Sequence, residues 1–435
     1  MTVPADSAQF ATQALHATHA VEAATPRATP IYLTAGFTFD SFDEAAAHFD
    51  GGTGFGYTRT GNPTVRAVEN RLAALESGAD ALLVASGQAA VVTALLTVAG
   101  AGDHLVASTH IYEGSRGLFL DNLSRLGIDT DFVDDIADPD AWRALVRPNT
   151  RALFAESISN ARNHVLDVAS IARVGDESGI PLIVDNTLAT PALIRPIESG
   201  AAIVVHSASK FLAGHGAVLG GVIVDSGRFD VSRNGHLFPH LVLPGRGGAA
   251  SVAERHGSAS RIAYAREVVA PRFGPTPSPL NAFLIGQGVE TLALRVERQS
   301  ENALAVARWL ASHETVESVD YAGLESHPDH ARAIGQLTGS HGSVFTFTVR
   351  GGEQAARRVI DAVGVFTHMT HIGDVRSLVL HPATTSHTLL TPAQRAQLGV
   401  HPGTLRVSIG IEDPADLISD LTQALSLVRT KGAVR

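Results

Sequence analysis

From residue 81 onward the chain alternates short apolar runs with longer segments in which apolar residues recur every three or four positions. The runs read ALLVAS, HLVAS, TDFVD, RALFAE, PLIVDN, AIVVHS and GGVIVD. Runs this short, bounded by Gly, Pro, Asp and Ser, predict buried strands, and the segments between them predict helices, including one through Gly117 to Leu126. Such alternation predicts an α/β fold on a mostly parallel, doubly wound sheet, with ligand-binding residues just past the carboxyl ends of the strands. Ser86, Gly87, Tyr112, Glu156, Asn160, Asp185, Ser207, Ser209 and Lys210 all fall at or after such an end. The uncharged stretch 81–102 has the length of a membrane span. Ser86, Gly87 and Gln88 divide it, however, into a strand and the run AAVVTALLTVA, which suits a buried helix.

The flanks follow different patterns. The first residues combine a short helical stretch, a Pro-containing segment at ATPIYL and a helix near Phe42–Phe49. The glycine-rich loop GGTGFGYTRTGNPT, carrying Tyr57 and Arg59, leads from there into a helix at 65–76. Its glycines alternate as GxGxG with no strand before them, so the dinucleotide-binding fingerprint is not matched. At the other end, PRFGPTPSP at 271–279 marks a boundary, followed by one long helix over about 280–312. Strands near SVFTFTV, SLVLHP and LRVSIGI, with helices near 354–363 and 414–428, predict a smaller α/β layer. The expected division is an N-terminal arm at 1–60, a large domain at 61–275 and a smaller C-terminal domain at 276–435.

Composition narrows the partners. A chain of 435 residues with 45% hydrophobic content can bury a large core, and a net charge of −10 without a basic cluster argues against nucleic acid or an anionic membrane. Small molecules are the expected ligands. There is no cysteine, which removes disulfides, thiol nucleophiles and Cys-based zinc sites. The N-terminus lacks the basic-then-apolar order of a secretory signal, so the cytoplasm is the expected compartment. His327 and His330 in HPDH are read as solvated residues of a Pro turn, and no metal site is expected.

Lys210 then calls for explanation. The chain has two lysines, and the other, Lys431, lies in the polar C-terminal tail. Lys210 follows the run AIVVHS and sits among Ser207, Ser209, His215 and several glycines, where solvation is poor. Burial lowers an amine's pKa and frees its lone pair for imine chemistry, which arginine cannot perform. Asp185 ends PLIVD and would be nearly unsolvated unless it met a cation. A lysine, a carboxylate for a pyridinium nitrogen and an anion cradle are what pyridoxal phosphate requires. Gly87 and Gln88 at a helix N-terminus, with Ser207 and Ser209, supply a cradle that Tyr57 and Arg59 would complete. Each residue taken alone is equally consistent with a structural role, such as a helix cap, a local hydrogen bond or an ordinary loop. It is their convergence on strand ends that favours the cofactor.

The segments YTRTGNPT, VASGQAA, VDNTLATP, HSASKFLAGHG, HPATTSH and LRVSIGIED resemble the pyridoxal-phosphate enzymes of cysteine and methionine metabolism, in particular the O-acetylhomoserine sulfhydrylase branch. The resemblance spans nearly the whole chain. It implies the aspartate-aminotransferase-like fold (fold type I) and a homotetramer of dimers with shared active sites. It also implies γ-replacement on O-acetyl-L-homoserine by sulfide or a small thiol, within methionine biosynthesis. By the same resemblance Lys210 is the Schiff-base lysine and Asp185 the pyridinium partner, while Gly87, Gln88, Ser207 and Ser209 hold the phosphate. Tyr57 and Arg59 reach the phosphate of the neighbouring subunit, Tyr112 stacks on the cofactor ring, and Asn160 lies near its phenolic oxygen. Arg406 grips the substrate carboxylate, a task suited to its bidentate geometry. Two stretches depart from the family pattern. His371 stands beside the substrate carboxylate where relatives more often carry Ser or Asn, and the Gly- and Arg-rich stretch 238–255 is expected to affect the site's entrance or the subunit contacts. The alternatives are a γ-lyase, an O-succinylhomoserine-using synthase and, from another class, a non-catalytic metabolite-binding α/β protein.

Overall fold

The structure is a computed structural model that describes residues 9–16, 26–51, 54–160 and 162–428; Lys431 lies outside them. Seven strands form the large sheet: β1 (Asp80–Val84), β2 (His104–Ser108), β3 (Asp129–Val133), β4 (Thr150–Glu156), β5 (Leu182–Asp185), β6 (Ile203–His206) and β7 (Gly221–Asp225). Their spatial order is β1-β7-β6-β5-β4-β2-β3. Strand β7 is antiparallel to both of its neighbours, so six strands share one direction and β7 alone runs against them. The carboxyl ends of β1, β2, β4, β5 and β6 therefore open on one edge.

Alternating side chains split the sheet between two cores. Leu83, Val106, Leu153, Leu182, Val184 and Val204 point into one, with the helices Pro63–Leu75 and Val168–Ser178. Leu82, Leu105, Phe154, Ile183 and Val205 point into the other, against the helix Gly87–Leu96. This period-2 division explains why the strands read as continuous apolar runs: both faces are covered. Local signals set the helix ends. Asn62 accepts a hydrogen bond from the Thr64 N–H at 3.0 Å ahead of Pro63, and Gly179, at φ 71°, stops the helix Val168–Ser178 in the left-handed conformation.

A second sheet has five strands: β8 (Val316–Asp320), β9 (Val344–Val349), β10 (Thr367–His368), β11 (Leu378–Leu380) and β12 (Thr404–Ser408), in the order β10-β11-β12-β9-β8. The helices Gly352–Ala362 and Pro414–Leu425 cover it. The single long helix expected over 280–312 is instead two, Pro279–Glu290 and Leu292–Ala311, because Thr291 leaves helical geometry at φ −107°, ψ 10°. The break redirects the chain. Ala282, Ile285 and Val289 pack into the large-sheet core, while Leu292–Ala311 runs from that core at Val296 into the small one at Ala303, Val306 and Leu310. The helix expected through Gly117 to Leu126 begins earlier, at Glu113, and passes through a wide turn at Leu118–Leu123 and a tight one at Ser124–Leu126. Among the described residues no helix is long and apolar enough to cross a membrane.

His327 is buried and His330 only partly exposed, so the turn is less solvated than the sequence suggested. The His327 ring is buried and bonds the Arg162 carbonyl through Nε2 at 3.0 Å, and His330 Nδ1 lies 2.8 Å from the Ala322 carbonyl. The turn is folded under the loop after β4, so its imidazoles satisfy backbone carbonyls that would otherwise be lost to water.

Candidate active site

The edge where the strand ends gather forms one wall of a cavity of about 610 Å³, closed from the other side by residues 369–372 and by Arg406 on β12. Twelve of the fourteen sequence candidates line it: Ser86, Gly87, Gln88, Tyr112, Glu156, Asn160, Asp185, Ser207, Ser209, Lys210, His371 and Arg406. Tyr57 and Arg59 do not. Tyr57 is half exposed and Arg59 Nη1 donates to the Pro271 carbonyl at 2.6 Å, outside the cavity of their own chain. No residue of 238–255 lines it either: Phe238 and Leu241 are buried in the core beneath the helix Gly87–Leu96.

Gly87 opens the helix Gly87–Leu96, capped by Ser86, whose hydroxyl accepts from the Ala89 N–H at 3.2 Å. A Cβ on Gly87 would stand 2.6 Å from Ser207 Cβ and 2.9 Å from Ser207 Cα, so only glycine lets the helix N-terminus approach the turn after β6. The helix N-terminus and Ser207 thus line one space, a setting for a phosphate, while Ser209, which also lines it, has its hydroxyl engaged with the Gly220 carbonyl at 3.2 Å and N–H at 3.1 Å. Gln88 Oε1 is buried there without a hydrogen-bond partner among the described residues, as befits a group whose partner is a ligand.

Asp185 lies in register with Glu156 across β4 and β5. Thr187, which the sequence reading passed over, donates to Asp185 Oδ1 twice, from its N–H at 3.0 Å and its hydroxyl at 2.5 Å, and accepts the Ser207 N–H at 2.8 Å. Burial raises the Asp185 pKa, opposed by Thr187 and His206. Burial and the Asp185 charge raise that of Glu156. Glu156 also binds the backbone N–H groups of Tyr112, at 2.5 Å, and Asn160, at 2.9 Å, and so holds two cavity residues in place. Behind the wall, Glu76 bonds His206 Nε2 at 2.6 Å and Asn186 Nδ2 at 2.8 Å, tying β5 and β6 to the helix Pro63–Leu75. Pairing across 110 residues or more leaves no mark in a single sequence.

Lys210 sits in the turn after β6, anchored by its own N–H to the Ser207 carbonyl at 3.1 Å. Burial first, and the Arg406 charge second, bring its amine down to about 8, far enough for a free-amine population at neutral pH. Arg406 is buried and makes no ion pair among the described residues; its contacts are Asn160 Oδ1 at 3.3 Å and the His371 carbonyl at 3.4 Å. Burial lowers its pKa to about 10, which still leaves it charged. A buried guanidinium facing a cavity without a carboxylate of its own is built to receive one from a ligand.

An anion cradle at a helix N-terminus, an amine of depressed pKa and a buried carboxylate in the same cavity define a pyridoxal-phosphate site on a doubly wound sheet. Comparison with known proteins gives the particular group. The Cys/Met metabolism PLP-dependent enzyme family matches residues 11–426, and the chain belongs to it. It is 44% identical over 427 residues to the O-acetyl-L-homoserine sulfhydrylase of Corynebacterium glutamicum, covering 96% of this chain and 97% of that one. It is 41% identical to the homocysteine synthase of Schizosaccharomyces pombe, over 98% of this chain and all of the relative. Among solved structures, a Campylobacter jejuni protein described as an O-acetylhomoserine (thiol)-lyase superposes with a TM-score of 0.92 at 33% identity, covering 96% of this chain and 99% of that one. That structure contains a lysine carrying a pyridoxyl phosphate. The fold expected from the sequence and its dependence on pyridoxal phosphate both stand.

Proposed function

We propose that this chain catalyses γ-replacement on O-acetyl-L-homoserine, with sulfide or a small thiol as the incoming nucleophile. O-acetyl-L-homoserine and hydrogen sulfide give L-homocysteine and acetic acid; a thiol gives the corresponding thioether. The observation that carries this reading is the convergence of Lys210, Asp185 and Arg406 on one cavity, in a chain 44% identical over nearly its whole length to an O-acetyl-L-homoserine sulfhydrylase.

When bound, pyridoxal phosphate supplies an aldehyde for the amines and a protonated ring that takes up the electron pair released at carbon. Gly87 and Gln88, with Ser207 and Ser209, would hold its phosphate, Tyr112 would cover its ring and Asn160 would meet the phenolic oxygen. Asp185, fixed by Thr187, keeps the proton on the ring nitrogen. Arg406 binds the substrate carboxylate and thereby sets the Cα–H bond towards Lys210. Lys210 Nζ would hold the aldehyde carbon at rest and, once freed, would take the proton from Cα, hand it on, and as a free amine again take one from Cβ. Acetate leaves from Cγ, sulfide adds there, and Lys210 returns the protons. Tyr57 and Arg59 serve the site of the adjacent subunit in a homotetramer. In this proposal the chain works in the cytoplasm, as an arm at 1–60, a large domain at 61–275 and a smaller C-terminal domain at 276–435.

The experiment is a steady-state comparison of O-acetylhomoserine, O-succinylhomoserine and O-acetylserine, each with sulfide, measuring homocysteine or cysteine together with ammonia and oxo acid. Highest kcat/KM for O-acetylhomoserine without ammonia release supports the proposal. Release of ammonia and oxo acid as the main products identifies a γ-lyase instead.

A further inference from the structure

His371 touches both cationic groups of the cavity. Its carbonyl accepts from Arg406 Nη2 at 3.4 Å and its ring Nδ1 lies 3.0 Å from Lys210 Nζ. The loop that carries it is fixed on the lysine's own turn. Gly373, at φ 74°, packs so closely on Phe211 that a Cβ would stand 2.7 Å from the Phe211 backbone nitrogen. Its N–H donates to Ser408 Oγ at 2.9 Å, and the Val375 N–H donates to the Gly214 carbonyl at 2.9 Å. The ring is therefore placed against the amine by backbone geometry on both sides of the contact.

We infer that His371 is a positioning residue for Lys210: its Nδ1 accepts a hydrogen bond from Nζ and tethers the freed amine at the Arg406 end of the cavity without giving it a counter-charge. This rests on the reading of Lys210 as the cofactor-bearing amine, and it differs from the place beside the substrate carboxylate that the family resemblance assigns to residue 371. An ammonium has three donors and no acceptor, so in the charged state Nζ must be the donor. The other ionisable groups lining the cavity are Tyr112, Glu156, Asp185 and Arg406, and Asp374 lies behind the imidazole. Lys210 forms no ion pair with a carboxylate among the described residues. Burial, then the Lys210 charge, bring the His371 pKa down to about 4, against the pull of Asp374 and the nearby Ser209 backbone, so the ring is neutral where the enzyme works. A carboxylate in its place would hold the proton on the amine. The imidazole satisfies one N–H and leaves the neutral amine within reach of physiological pH.

The test uses the full-length, cofactor-free chain, whose two lysines give two lysine signals after reductive methylation with ¹³C-formaldehyde. In the natural chain the Lys210 signal should titrate at about 8, with Lys431 as the internal control. His371→Asp should raise the Lys210 midpoint by about one unit or more, and His371→Leu, which removes the acceptor, should lower it. His371→Asn keeps an acceptor and should leave the midpoint within about 0.3 units of the natural value. Circular dichroism and an unmoved Lys431 midpoint establish that each variant is folded and correctly assigned. A Lys210 midpoint unchanged in both the Asp and Leu variants overturns the inference. Cofactor binding, measured separately, distinguishes the two claims: shifted midpoints in a chain that binds no pyridoxal phosphate would refute the proposed function and leave the contact standing.

Discussion

Glu156 and Asp185 end neighbouring parallel strands in direct register, so two carboxylates stand side by side in the cavity wall. Burial makes both harder to ionise, and the Asp185 charge adds to that for Glu156. The pair differs in what holds it: Glu156 is occupied by two backbone N–H groups, whereas Asp185 takes both Thr187 bonds on Oδ1 alone. Asp185→Asn should therefore lower turnover about 100-fold or more and loosen cofactor retention, the size expected for removing a preorganised charge. Full turnover in that variant would remove the ring-nitrogen role.

The same pair fixes a pH dependence of stability. The folded-state pKa of Glu156 is raised from 4.5 towards about 8, so between those values the folded chain binds more protons than the unfolded one and loses stability as pH rises. Glutamine does not titrate. In the cofactor-free chain, the melting temperature of Glu156→Gln relative to the natural protein should climb between pH 5 and pH 8. A constant difference across that window would mean that Glu156 ionises normally in the fold.

Gly87→Ala tests the cradle. The added methyl meets Ser207 Cβ and Cα, a side chain and a backbone atom that must both move. The expected cost is about 1–3 kcal/mol in urea unfolding, as for other over-packed positions, accompanied by weaker cofactor binding. Unchanged cofactor affinity would place the phosphate elsewhere.

Arg406→Ala should raise KM for the amino acid by about 30-fold or more, because it removes a buried partner for the substrate carboxylate, while KM for sulfide should stay near its natural value. The Lys210 amine should also titrate higher, since the Arg406 charge is one of the causes holding it down. Equal effects on both substrates would point to a collapse of the cavity.

Much of this site was legible because strand ends are legible. Apolar runs ending in Asp185, Glu156 and His206 marked the edge, and a chain with two lysines drew attention to Lys210. Thr187 carried a signal that went unused: in VDNT a Thr two residues past a strand-ending Asp can fold back onto that carboxylate. The break at Thr291 was hidden because helical periodicity continues on both sides of it. Strands β8 and β10 were missed for a different reason. VESVD is largely polar and partly exposed at a sheet edge, and β10 is two residues long, so neither leaves an apolar run. Residues 369–372 close the cavity from a separate sheet, a juxtaposition made by tertiary packing that no local pattern records.

Tyr57 and Arg59 lie outside the cavity of their own chain, and their proposed place at a neighbour's phosphate gives a complementation test. Arg59→Ala subunits and Lys210→Ala subunits, each nearly inactive at limiting cofactor, should regain activity when mixed under subunit exchange, since some mixed pairs place both lesions in one site and leave the other whole. No recovery in verified mixed oligomers would confine both residues to another role.

The central claim is that Lys210 is the amine that carries the cofactor, and the most direct measurement is chemical. The holoprotein is reduced with borohydride, digested, and its peptides are read by mass spectrometry. A single pyridoxyl phosphate adduct on Lys210, absent from Lys210→Ala, is the predicted result; an adduct on Lys431, or none on Lys210 in protein that has bound the cofactor, would contradict it.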